Sequence, residues 1–142
     1  LENRYTGAAI LRLDLNRHNR AHLLRAAQEG IAFAFRYGID IMKENGLKPG
    51  VIRAGYANLF LSPVFTQTLA TLCDARIELY NTDGALGAAR GAALGAGIYK
   101  DREEAFRSLK KIRTVEPVAA DRSVLEETYA AWQEELKKAL QA

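Results

Sequence analysis

The sequence predicts an α/β domain with a short central sheet flanked by helices, and three observations lead to this prediction. Residues 51–67 pass from a short apolar run through a loop of small residues into a helical pattern. Residues 20–45 carry apolar side chains at steps of three and four, which is typical of a long amphipathic helix. The chain has 142 residues, 49% of them hydrophobic, which is enough for one domain with its own core.

The first predicted element is a strand over residues 7–15. Its second half alternates, because Leu11, Leu13 and Leu15 flank Arg12 and Asp14. The pattern indicates a strand with one buried face.

The long helix is predicted to begin after Asn19, its N-cap, and to stop at Gly46. Gly30 and Gly38 lie inside it, where each glycine costs about 1 kcal/mol relative to alanine. We therefore expect a neighbour that packs too closely there for a methyl group.

The central segment is predicted as a strand, a loop and a helix. The strand at residues 51–52 leads into the loop RAGYAN at residues 53–58, and Ser62 and Pro63 begin the helix. Small residues after a strand let a flat ligand or a phosphate approach the backbone. The ordinary alternative is a loop that only connects the two elements.

A second strand is expected at Arg76–Tyr80, followed by the turn NTDG and a helix over residues 85–97. Gly87, Gly91 and Gly95 share one face of this helix, which predicts that it is buried and packs tightly on the sheet. Amphipathic helices follow over residues 101–112 and 121–140. We expect the last helix to clasp the domain, and partner binding is the alternative.

Composition excludes several classes of function. Twenty basic residues are interspersed with 17 acidic ones, so nucleic-acid binding is not indicated. No apolar run is long enough to span a bilayer, so no membrane partner is expected. The single cysteine, Cys73, lies in an apolar helical pattern and indicates a buried thiol in a reducing cytosol. Because the first residue is leucine, we expect the chain to be a piece of a longer protein.

Few residues suggest chemistry by themselves. His18 and His22 stand four apart, but no third ligand accompanies them, so capping or packing is preferred to a metal site. Asp83 follows a strand and could sense a nucleotide or Mg²⁺, although helix capping is its more ordinary role. The Asn58 amide could both donate to and accept from an adenine edge, or it could bond the local backbone.

Three segments together resemble the FGGY family of carbohydrate kinases. The run RAHLLRAAQEGIAFAFRYGIDIMKENG at residues 20–46 resembles the long helix of that family's C-terminal lobe. Residues 83–97 resemble its small-residue helix, and the run VEP at residues 115–117, followed by a tyrosine-bearing helix, resembles its usual ending. Among members of the family, this chain looks most like those that act on xylulose.

The resemblance implies the ribonuclease H-like, actin-like ATPase fold, with ATP and sugar bound between two lobes. Residues 1–142 would form the C-terminal ATP-binding lobe, with the N-terminal sugar-binding lobe absent. The family's adenosine loop falls on Ala54, Gly55, Tyr56 and Asn58. Gly55 would contribute backbone contacts, and the side-chain amide of Asn58 would contact adenine. Tyr56 would stack on the base or form a wall of its pocket. Ala54 stands where the family usually has glycine.

The implied activity is transfer of the γ-phosphoryl group of ATP, with Mg²⁺, to a ketose such as xylulose, in a cytoplasmic enzyme. The family's catalytic aspartate and sugar-binding residues belong to the other lobe, so no catalytic and no metal-binding residue is assigned in this chain. The isolated chain is expected to be inactive and to bind adenine nucleotide weakly at most. The resemblance leaves a homodimer open. The alternatives are a kinase for another polyol or sugar acid, and a non-enzymatic α/β interaction module.

Overall fold

The computed structural model describes residues 6–141. Within that range the elements follow the order α1 (Arg20–Glu44), β1 (Val51–Gly55), α2 (Pro63–Cys73), β2 (Arg76–Tyr80), α3 (Gly84–Gly95), α4 (Arg102–Phe106), β3 (Lys111–Val115) and α5 (Arg122–Gln141). Short 3-10 helices occupy Asn58–Leu61 and Ala119–Asp121. The predicted α/β class is confirmed.

The three strands form one mixed sheet in the order β1-β2-β3. β1 and β2 are parallel, with Val51 opposite Arg76 and Gly55 opposite Tyr80. β3 runs antiparallel to β2, with its last residue, Val115, opposite Ile77. Among residues 6–141 no strand pairs with the other edge of β1.

The core lies on one face of the sheet, beneath α1 and α2. Ile77 and Leu79 of β2 and Phe65 and Leu69 of α2 are fully buried there. Because successive side chains of a strand alternate between faces, Glu78 lies on the opposite face. Burial of these large side chains stabilises the domain by about 1.5–3 kcal/mol for each side chain.

The ends of α1 follow from local sequence, as predicted. Asn19 caps the helix, because its Oδ1 accepts a hydrogen bond from the backbone N of Ala21 at 3.0 Å. The Nδ1 of His22 accepts in turn from the Asn19 backbone N at 3.2 Å. Gly46 follows the helix with a φ of 82°, a conformation that glycine adopts without strain. Ser62 and Pro63 begin α2 in the same predicted manner, with Ser62 as its N-cap.

The last helix clasps the domain, which confirms the prediction for α5. Its Leu125 and Tyr129 form a second core cluster with Phe33 of α1 and Leu72 of α2. The Tyr129 hydroxyl donates to Asp40 Oδ2 at 2.9 Å, so the contact with α1 is polar as well as apolar. Cys73 is buried at the end of α2, as expected.

Two predicted elements are wrong. Residues 7–15 form no strand: they are irregular, with Arg12 in the left-handed region at a φ of 59°. No described strand lies beside them to complete a ladder, and Ile10 and Leu15 are exposed. The predicted helix over residues 101–112 ends at Phe106, and the strand β3 begins at Lys111. Pairing with β2 overrides the helical spacing in this segment.

The predicted close packing around the helical glycines is also wrong. A Cβ added at Gly30, Gly38, Gly87, Gly91 or Gly95 would meet no atom within 4 Å. α3 does not lie buried on the sheet, and its one buried residue is Arg90. A face of alanine and glycine offers little apolar area, so it gains little from burial.

No helix between residues 6 and 141 combines the length and the apolar character that a bilayer crossing needs.

Candidate functional site

The parallel pairing of β1 and β2 brings their carboxyl ends to one edge of the sheet. A cavity of about 390 Å³ opens there. It is lined by Arg53, Ala54, Gly55, Tyr80, Thr82 and Leu109. Ligands of open α/β sheets bind at the carboxyl ends of strands, and pockets of about 300–1,000 Å³ suit small molecules. This cavity is the candidate site.

Gly55, the last residue of β1, lies close to the backbone of the loop after β2. A Cβ added to it would lie 2.3 Å from the Thr82 carbonyl oxygen and 3.2 Å from Asp83 Cα. The backbone N of Tyr56 donates to the Tyr80 carbonyl at 2.8 Å, which extends the β1–β2 ladder into the loop. The fold itself therefore requires glycine at position 55, whatever binds beside it.

The predicted site residues divide into two groups. Ala54 and Gly55 line the cavity, whereas Tyr56 and Asn58 do not. Asn58 is exposed at the start of the 3-10 helix Asn58–Leu61, and its backbone is left-handed, with a φ of 52°. The Tyr56 side chain is 39% exposed. Both side chains face solvent on the loop that follows β1, beyond the cavity lining.

The opposite wall of the cavity comes from the loops after β2 and before β3. The Asn81 amide joins these loops, because its Nδ2 donates to the Ser108 carbonyl at 3.1 Å and its Oδ1 accepts from the Lys110 backbone N. Arg90 of α3 joins them again: Nη1 donates to Thr82 Oγ1 and Nη2 to Ser108 Oγ, each at 3.1 Å. Sequence reasoning missed Arg90 in this role. The available signal was a single arginine in a helix of alanine, glycine and leucine.

A buried carboxylate holds the charged rim of the cavity. Glu78 accepts hydrogen bonds from Arg53 Nε at 3.1 Å, Lys111 Nζ at 3.2 Å and the Tyr80 hydroxyl at 3.0 Å. These donors, Arg53 first, lower the pKa of Glu78 to about 2. The same contact raises the pKa of Arg53. Glu78 is therefore a counter-ion that fixes Arg53 at the rim, and its low basicity makes it a poor general base.

The described residues offer no metal site at this edge. None of the residues lining the cavity carries a carboxylate, and residues 6–141 contain no group of three metal-ligating side chains. Asp83 caps α3 by accepting from the Leu86 backbone N at 2.7 Å, the ordinary role considered for it. His18 Nδ1 likewise accepts a backbone hydrogen bond, from Asp14 N at 3.1 Å. The side chains that the structure describes at the cavity thus do not fit Mg²⁺.

Comparison with known sequences identifies kinases of small carbohydrates. The L-xylulose/3-keto-L-gulonate kinase of Escherichia coli (strain K12) is 35% identical over 121 residues, which cover 82% of this chain and 24% of that protein. A glycerol kinase of Pseudothermotoga lettingae is 32% identical over 125 residues, 85% of this chain and 24% of the relative. No family model matches the sequence. The chain spans about a quarter of the length of these relatives.

Comparison with solved structures also finds carbohydrate kinases. The xylulose kinase from Rhodospirillum rubrum superposes with a TM-score of 0.70 at 25% identity, over 89% of this chain and 26% of that one. A gluconate kinase from Lactobacillus acidophilus, at 21% identity, shares the fold, with a TM-score of 0.70 over 94% of this chain and 27% of its own. The chain has the actin-like ATPase fold of the sugar kinases. It belongs to the family of carbohydrate kinases that the resemblance implied.

Proposed function

We propose that these 142 residues form the nucleotide-binding lobe of a kinase that transfers the γ-phosphoryl group of ATP to a ketose such as xylulose. The observation that carries the proposal is the cavity between the loop after β1 and the loop after β2. It lies where open α/β sheets bind ligands, and the loop beside it is the segment that the family resemblance assigns to adenosine.

In this proposal the loop residues have separate roles. The backbone at Ala54 and Gly55 forms the floor on which adenosine lies, because neither residue has a side chain that extends over the cavity. Tyr56 walls or stacks on the base, and the Asn58 amide bonds the adenine edge. The exposure of Tyr56 and Asn58 supports this assignment, since no other part of the described chain covers the two side chains.

The chemistry needs groups that this site does not hold. When bound, ATP would supply the phosphoryl group, and Mg²⁺ would supply the positive charge that phosphoryl transfer needs. A carboxylate must take the sugar hydroxyl proton, but Glu78 is held as an ionised counter-ion and Asp83 caps α3. We therefore propose that the catalytic aspartate, the sugar-binding residues and the magnesium ligands lie outside residues 1–142. The isolated chain would then show no sugar-dependent release of ADP in a coupled assay.

Nucleotide titration of the ¹⁵N-labelled chain tests the binding role directly. We expect saturable amide shifts at residues 54–58 and at Thr82 when ADP is added. Asn58→Gly removes the amide while its backbone keeps the left-handed conformation without strain, so the fold should be unchanged. Loss of one hydrogen bond predicts about tenfold weaker ADP binding. Asn16→Gly, at an exposed turn, is the matched control and should bind as the parent chain does.

Shifts that rise linearly with nucleotide concentration, without saturation, would overturn the nucleotide site. Equal ADP affinity of Asn58→Gly and the parent chain would overturn the role of Asn58 alone.

The second candidate is a non-enzymatic interaction module. An apolar cavity of about 540 Å³ favours it, lying between α1 and β1. Phe35 and Met42 of α1 line this cavity and remain 48% and 44% exposed. Self-association that is indifferent to nucleotide, in a chain without saturable ADP binding, would support this candidate against the kinase lobe. The sugar also stays open, since the relatives include xylulose, gluconate and glycerol kinases.

A further inference from the structure

Arg90 is a buried cation whose partners carry no charge. It is 7% exposed and is the one buried residue of α3. Its guanidinium donates to two hydroxyl oxygens, Thr82 Oγ1 and Ser108 Oγ, and to no carboxylate within residues 6–141. Burial of a charge costs free energy unless the group is well hydrogen-bonded, so these two hydrogen bonds must offset the desolvation of Arg90.

The Arg90 guanidinium connects two loops by hydrogen bonds. Its planar donors point in set directions, so Thr82 and Ser108 must keep fixed positions relative to α3 and to each other. Within α3, Arg90 is a side chain that hydrogen-bonds to both loops at once.

Both loops belong to the candidate site. Thr82 lines the cavity, and Ser108 precedes Leu109, which lines it too. The carbonyl oxygen of Thr82 also lies against Gly55 on the opposite wall. A displacement of Thr82 would therefore change the width of the cavity beside the loop after β1.

We propose that Arg90 is a positioning residue of the nucleotide site, which holds the Thr82 and Ser108 loops at the separation that adenosine requires. The inference rests on the proposed function, because it concerns the same cavity. Asn81 joins the same two loops through its amide, so they stay connected when Arg90 is replaced. The main effect of replacing Arg90 is thus expected on ADP affinity.

The test measures the dissociation constant of ADP by amide-shift titration, alongside urea unfolding. Arg90→Met should bind ADP about tenfold more weakly, and Arg90→Lys, which can reach one hydroxyl at a time, should recover part of the affinity. Ser108→Ala removes one anchor outside the cavity lining and should also weaken binding. The double variant Arg90→Met/Ser108→Ala should bind no more weakly than Arg90→Met, because both changes break one coupled contact.

Arg36→Met is the matched control. Arg36 is also largely buried, but it pairs with Asp40 and Glu126 on the helices and does not line the cavity. This variant should lose stability and keep its ADP affinity.

The outcomes separate the inference from the proposed function. If the parent chain shows no saturable ADP binding, both the proposed function and the inference are overturned. Parent-like affinity in Arg90→Met, or an equal loss in Arg36→Met, would overturn the inference alone. If Arg90→Met does not fold, parent-like affinity in both Arg90→Lys and Ser108→Ala would overturn it.

Discussion

Replacement of Gly55 by alanine should destabilise the domain, because the new methyl group has no space. The added Cβ would lie 2.3 Å from the Thr82 carbonyl oxygen and 2.9 Å from its carbon, and both are backbone atoms. A carbon and a carbonyl oxygen approach to about 3.3 Å at the closest, so the two loops must separate by about 1 Å. Overpacking of this severity costs about 3 kcal/mol. Alanine restricts the unfolded chain, which returns up to about 1 kcal/mol. The net expected loss is therefore about 2 kcal/mol.

Urea unfolding, followed by circular dichroism, measures this loss as a lower transition midpoint at an unchanged slope. Gly50→Ala is the control, since it precedes β1 and a Cβ there would meet nothing within 4 Å. Its free energy of unfolding should stay within about 0.5 kcal/mol of the parent value. Equal stability of the two variants would refute the close approach of Gly55 and Thr82.

Four further predictions address the rest of the domain. Gly38→Ala should raise the free energy of unfolding by up to about 1 kcal/mol, because the helix gains propensity without a clash; a loss in urea unfolding would contradict this. Glu78→Gln should be less stable than the parent at pH 7. Since folding lowers the pKa of Glu78 from 4.5 to about 2, the difference should shrink as pH falls through that interval, and a constant gap in acid titrations would contradict the prediction. Tyr129→Phe removes the hydrogen bond to Asp40, so the free energy of unfolding, measured by thermal unfolding, should fall by about 2 kcal/mol. Parent-like stability would show that this hydrogen bond contributes nothing. Burial raises the pKa of Cys73 to about 11, so a thiol reagent at pH 8 should react only as fast as the chain unfolds. Immediate labelling would contradict its burial.

Elements whose signals are local could be predicted from the sequence. α1 begins at the residue that Asn19 caps and ends before Gly46, because both ends depend on a few neighbouring residues. β1, α2 and β2 follow in the predicted order for the same reason. Elements that depend on distant partners could not be predicted. β3 forms because β2 offers it a ladder, and the alternation at residues 7–15 finds no described strand beside it.

The candidate site shows the same division. Its near wall, Ala54 and Gly55, lies in the strand, loop and helix segment that indicates a ligand loop. Its far wall, Thr82 and Leu109, lies 27 and 54 residues beyond Gly55 along the chain, and no local pattern relates these positions. Sequence reasoning also assigned Gly55 to the ligand, whereas the structure adds a requirement from the Thr82 backbone.

The cavity walls come from three stretches of chain that are brought together only by folding, around residues 53–55, 80–82 and 109. An unfolded chain therefore has no such receptor, and any compound that occupies the cavity must shift the melting transition upward by mass action. A panel of nucleotides and sugars assayed by thermal shift would thus rank the ligands of this cavity without any turnover. Because even weak binding gives a shift at sufficient ligand concentration, such a ranking requires neither catalysis nor the remainder of a kinase.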